Sequence, residues 1–177
     1  MVAIAAIVGV LGQGLLRGVM IGAIISLVLL IRRASRPHVG FLGRIPGTRR
    51  FSDRERHPDN ELIPGVLIVR PESGLIYFNM DHVRDTILDR VRAEAIAPAL
   101  VVLDLSAAPR VDMHSAQMLG SLADELSATG IRVQAVEARS SVRERLRSEG
   151  VDAKLGGIDR FSTVVDAVET SQKQTIT

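Results

Sequence analysis

From Met1 to Ile31 the chain carries one charged side chain, Arg17. A run this apolar must be covered by protein or by lipid, so it limits the possible folds more than any other feature. As a single helix it would be about 46 Å long, against a hydrocarbon core of about 30 Å. It therefore reads as a tilted span with an interfacial lead-in, with Leu11–Ile31 the better single-span candidate. The other solution is two short helices that break near "GQGLLRG" (12–18), where the glycines beside Arg17 favour a break. A cleaved signal peptide would need a basic region ahead of the apolar run and a small-residue cleavage site after it. Nothing basic precedes Arg17, and "RRASR" (32–36) follows, so a retained membrane segment over residues 1–31 is expected.

Charge divides along the chain. Residues 1–63 hold nine Arg and four acids, whereas residues 64–177 hold 13 basic and 16 acidic side chains. Eight of those Arg fall between 32 and 56, with Arg32, Arg33 and Arg36 directly after the apolar run. Basic residues there mark the cytoplasmic side of a span and favour anionic lipid headgroups. A nucleic-acid binder would carry its positive charge on the folded domain, so no nucleic-acid partner is expected. The absence of cysteine excludes disulfides and thiolate metal sites.

Residues 32–63 are polar and punctuated by Pro and Gly, and read as a basic juxtamembrane linker. From Pro64 to Ser171 an α/β pattern follows. "GVLIVR" (65–70) and "LIYFN" (75–79) read as strands about a "PESG" turn, and Asn79 as the cap of a helix with Val83, Ile87, Leu88 and Val91 on one face. "ALVVLDLS" (99–106) has the continuous apolar character of a strand buried on both faces. "SAQMLGSLADELSATG" (115–130) is helical up to Gly130, and "IRVQAVEA" (131–138) alternates as a strand. "SVRE" (141–144) reads as a capping box for a short helix closed by Gly150, "FSTVVDAVE" (161–169) as a last helix, and 172–177 as a frayed tail. Strands alternating with helices imply a mainly parallel sheet with helical cover.

"VDMHSAQML" (111–119) places Asp112, Met113, His114 and Ser115 where a strand gives way to a helix. Side chains one and three positions apart at a helix start do not generally face one another, which argues against a catalytic triad. The stretches GxGxxG after the first strand, GxxxxGK[ST], HExxH and GxSxG are all missing, so an enzyme is not expected. The four histidines, His38, His57, His82 and His114, lack metal-ligand spacing, so neither metal nor cofactor is expected. Ser115 is expected to cap the helix; the rival role is a switch whose phosphate would sit at a helix N-terminus.

"SRPHVGFLGRIPGT" after the apolar run and "LIYFNMDHVRD" opening the domain resemble the C-terminal end of sulfate permease (SulP) anion transporters, from about Leu11 to Phe161. "VDMHSAQMLGSLADEL" resembles the signature loop and helix of the STAS domain, shared by those transporters and by anti-sigma factor antagonists. The resemblance implies a small β-sheet with packed helices, preceded by one or two transmembrane helices. It further implies a regulatory STAS domain on the cytoplasmic face of the inner membrane. The partners it implies are membrane lipid, the remainder of a transport domain, and a regulatory protein or a second copy. The family's anion site lies in the part this sequence lacks, so no transport is expected from the chain alone. The antagonists show Asp-Ser-Ser-Gly or Asp-Ser-Thr-Gly in this loop. Aligned on Asp112, their hydroxyl positions hold Met113 and His114, and Ser115 replaces Gly, which removes the usual phospho-acceptor. The alternative reading is a free-standing, membrane-tethered STAS signalling module of the antagonist type.

Overall fold

The computed structural model describes residues 15–176. They divide into two compact units, meeting between Arg36 and Pro37.

The first unit is one helix, α1 (Leu15–Ser35), with Leu16–Ser35 long and apolar enough to cross a membrane. Leu16, Ile24 and Leu30 lie exposed on it. The helix runs unbroken through Arg17 and Gly18, so residues 15–18 make no break; the rest of the expected break, 12–14, lies outside the described residues. A lone Gly costs a helix only about 1 kcal/mol, which continuous apolar neighbours offset.

The second unit is a five-stranded sheet in the order β2-β1-β3-β4-β5, built from β1 (Val39–Arg44), β2 (Phe51–Asp53), β3 (Val66–Pro71), β4 (Leu100–Asp104) and β5 (Arg132–Val136). β1 pairs antiparallel with both β2 and β3, while β3, β4 and β5 are parallel. The parallel strands are joined through α2 (Tyr77–Ala93) and α3 (Met113–Ala128). After β5 come α4 (Ser140–Ser148), a 3₁₀ turn (Ala153–Leu155) and α5 (Val164–Ile176).

Period-two alternation sorts the strand side chains onto two cores. Leu67, Val69, Val101, Leu103, Val133 and Ala135 face the larger one, with Val83 and Ile87 of α2 and Leu119, Leu122 and Leu126 of α3. Ile68, Leu100, Val102 and Val136 face the smaller one, which α5 covers with Val164, Ala167 and Val168. Cover on both faces is why β4 reads as an unbroken apolar run, buried at all five positions.

Five expectations need correcting. The linker over 32–63 contains β1 and β2, so the sheet-bearing unit starts at Pro37 rather than Pro64. Val39 and Leu42 of β1 are buried, one in each core. "LIYFN" is not a strand: Leu75 makes a lone bridge to Val111, and α2 begins at Tyr77. Asn79 is not its cap but sits in the first turn, where its Oδ1 accepts the Ile76 N–H at 3.0 Å. "SVRE" forms no capping box, since α4 starts at Ser140 behind Arg139, which makes no side-chain cap. A side-chain cap is found instead at α5, where Thr163 Oγ1 accepts the Asp166 N–H at 3.1 Å and donates to the Asp166 carboxylate at 2.5 Å. That cap and the burial of Ala167, Val168 and Ser171 carry the helix on to Ile176, so residues 172–176 are helical rather than frayed.

Candidate functional site

β3 and β4 each hand the chain to a helix at the same end of the sheet, and Asp112 stands between the two helices. The backbone of Leu75 is held by the 110–112 segment, with Leu75 N–H donating to Arg110 O at 3.0 Å and Asp112 N–H to Leu75 O at 3.1 Å. This bridge brings the starts of α2 and α3 together. The Asp112 carboxylate then accepts the Ser115 N–H through Oδ1 at 2.8 Å and the Tyr77 N–H through Oδ2 at 2.7 Å. One side chain therefore caps two helices, each presenting free N–H groups and the positive end of its dipole. Burial pushes the Asp112 pKa up, but the two backbone N–H groups outweigh it and hold the carboxyl below the usual aspartate range.

Ser115 is not the cap. It is fully buried on the third position of α3, and its hydroxyl makes no well-formed hydrogen bond, lying only near enough to Asp112 to help its charge slightly. A kinase cannot reach an oxygen in that position without unfolding the start of α3. Asp112, His114 and Ser115 form no triad either, because backbone N–H groups occupy both Asp112 oxygens.

Around this double cap the surface is apolar. Tyr77 is 67% exposed, Met113 56% and Phe78 48%. The His114 ring meets Tyr77 edge-on, with centroids 4.8 Å apart. The chain has one Tyr, four Phe and no Trp, so two of its five large aromatics on one exposed junction are notable. An exposed apolar group rimmed by polar residues has the composition of a contact surface. The sequence pointed to Met113 and His114; Tyr77 and Phe78 were hidden because they read as strand residues.

Elsewhere a polar cleft, of about 490 Å³, opens beyond the carboxyl ends of β3, β4 and β5. Asp104 is buried there, its Oδ2 accepting from Arg70 Nε at 2.8 Å and Nη2 at 2.7 Å, its Oδ1 from the Ser106 N–H at 2.9 Å. Glu137 lies on the cleft wall with φ of 57°, the one described non-glycine residue in the left-handed region. Burial and then the Asp104 charge push the Glu137 carboxyl up.

Arg32 and Arg33 lie in the last turn of α1 and Arg36 just beyond it, all three exposed. They occupy a different unit from Asp112, Met113, His114 and Ser115, which the structure gathers at one junction.

Residues 57–167 match the STAS domain family. Over 174 residues, 98% of the chain, the sequence is 28% identical to a probable sulfate transporter of Mycobacterium tuberculosis, of which it covers 31%. The murine anion transporter Slc26a9 superposes with a TM-score of 0.82 over 97% of this chain and 28% of its own, at 20% identity. The STAS domain of a SulP transporter from Vibrio cholerae does so with a TM-score of 0.55 over 68% of this chain and 91% of its own, at 17% identity. At such identities the two structures establish the fold. The chain spans about a third of the length of the curated relatives it first matches. With the family match covering well over half of its residues, the chain belongs to the STAS domain family and is similar, across that domain and the helix before it, to SulP-type sulfate transporters.

Proposed function

We propose that this chain is the C-terminal membrane segment and cytoplasmic regulatory STAS domain of a SulP-type inorganic anion transporter of the inner membrane, sulfate being the substrate its relatives suggest. The observation that carries the reading is a similarity running through both units together: an apolar helix, the Arg32–Arg36 collar and the STAS sheet align with sulfate transporters over 98% of the chain. In this reading α1 is held in lipid, the collar lies among anionic headgroups, and the Asp112 junction presents Tyr77, Phe78 and Met113 to the remainder of the transport domain, a regulatory protein or a second copy. One apolar helix among the described residues cannot build a mid-membrane anion site of the kind made between discontinuous helices, so the chain alone is a regulator without transport. Fusing a reporter active only in the cytoplasm after Thr177 tests the orientation, and sulfate uptake by liposomes holding the chain tests the division of labour. The expected results are an active reporter and no saturable uptake. Periplasmic reporter activity, or saturable uptake by the chain alone, would overturn the proposal.

A further inference from the structure

Away from the Asp112 junction, pairing of β1 with β2 brings His38 against Asp53, fifteen residues on. The His38 Nε2 and Asp53 Oδ2 atoms lie 2.7 Å apart. A Glu55 carboxylate oxygen joins them, all three ligand atoms lying within 4.8 Å of one another. From these positions we propose that His38, Asp53 and Glu55 form a binding site for one divalent transition-metal ion of the Zn²⁺ class, fastening the start of β1 to the end of β2.

The donor set suits such an ion. One imidazole and two carboxylates are ligands for Zn²⁺, whereas Mg²⁺ and Ca²⁺ favour oxygen alone. The site is also built around a fixed member. Asp53 is 7% exposed, and its Oδ1 accepts the Glu55 N–H at 2.8 Å, which turns Oδ2 towards His38. The β1 residue alongside is Gly40, where a Cβ would touch Oδ2 at 3.4 Å; without one, that oxygen keeps an open side. Arg56, whose charge also reaches Asp53, is drawn towards Glu72 at 3.6 Å.

An ion about 2.0–2.1 Å from each donor would set the donors roughly 3.3 Å apart. The imidazole must therefore back away by about half an ångström, and Glu55 must swing in. Both are exposed side chains able to do so, while the buried Asp53 stays still. The sequence could not show this site, because the ligands come together only through the hairpin.

The test is Zn²⁺ binding by the full chain in detergent micelles, stripped with a chelator and then dialysed against Zn²⁺, with metal content measured directly. Saturable binding of one ion per chain is expected. His38→Gln and Glu55→Gln should each weaken it roughly tenfold or more, with the metal-free protein still folded by circular dichroism. Substituting His57, His82 or His114 by Gln should leave it intact. Absence of saturable binding would mean that His38 and Asp53 are only an ion pair. Binding indifferent to either His38→Gln or Glu55→Gln, or lost with another histidine, would overturn the site equally.

Discussion

If one carboxylate caps two helices, its removal should cost about twice what a single cap costs. Replacing an N-cap acid by Ala typically loses about 1 kcal/mol. Asp112 accepts the first N–H of α2 at 2.7 Å and the third of α3 at 2.8 Å, so Asp112→Ala should destabilise the sheet-bearing unit by about 2 kcal/mol. Asp112→Asn keeps one oxygen but turns an NH₂ group towards the other N–H, so about 1 kcal/mol should be lost. For a unit of this size, 1 kcal/mol moves the melting midpoint by roughly 3–5 °C, giving about 6–10 °C for Ala and half that for Asn. The readout is thermal unfolding of the full chain in detergent, followed by circular dichroism. Its pH dependence carries a sign. The folded Asp112 carboxyl titrates below its unfolded value, so its contribution is complete above about pH 4 and fades as pH falls through the depressed folded value; the gap between parent and Asp112→Ala should close only in that acid range. Ser115→Ala is the control. Its buried hydroxyl has no sound partner, so the variant should melt within about 0.5 kcal/mol of the parent. An Asp112→Ala midpoint equal to the parent's, or an equal loss from Ser115→Ala, would refute the double cap.

Glu137 predicts the opposite sign. Its carboxyl is raised in the fold, by burial and then by Asp104, so it favours the folded state below its unfolded pKa and gives up that advantage as pH rises through the folded value. Glu137→Gln should therefore raise the melting midpoint relative to the parent at pH 7 more than at pH 4, and a gain at pH 4 equal to that at pH 7 would contradict the assignment. A chain beginning at Pro64 should fail to melt cooperatively, whereas one beginning at Pro37 should succeed. Without β1 the core loses Val39 and Leu42, worth roughly 1.5–3 kcal/mol each, and β3 is left as an open edge, against a total stability of about 5–15 kcal/mol. Equal cooperative transitions from both would show β1 to be dispensable.

Which elements could be read from the chain follows from how their apolar residues are spaced. β4 and β5 show their burial directly, and α2 and α3 carry their core residues at helical spacing. β1 hides because "VGFLGR" is short, holds two glycines and an arginine, and sits between Pro37 and Pro46 in a stretch that reads as linker. Its glycines are nonetheless structural: a Cβ at Gly43 would lie 2.8 Å from Arg54 Cγ and 2.9 Å from Asn60 Cβ. Small residues that permit close packing look, in sequence, like residues that prevent order. "LIYFN" misled in the other direction, as its β-forming side chains lost to two caps supplied from outside the segment's own pattern.

The Asp112 junction was visible, but its roles were distributed differently. A strand followed by an acid and a serine reads equally well with either residue as the cap, since both types favour that position. What separates them is Tyr77, thirty-five residues earlier, whose N–H needs an acceptor that only the carboxylate, with two oxygens pointing apart, can supply while also serving Ser115. That second demand fixes Asp112 in place and, through the backbone bridge of Leu75, Arg110 and Asp112, ties the starts of α2 and α3 into one rigid corner. A corner fixed in this way holds Tyr77, Phe78, Met113 and His114 in a constant arrangement. If this face is the contact surface proposed above, loss of the carboxylate should weaken partner binding as well as stability, because Tyr77, Phe78, Met113 and His114 sit on the two helix starts it joins.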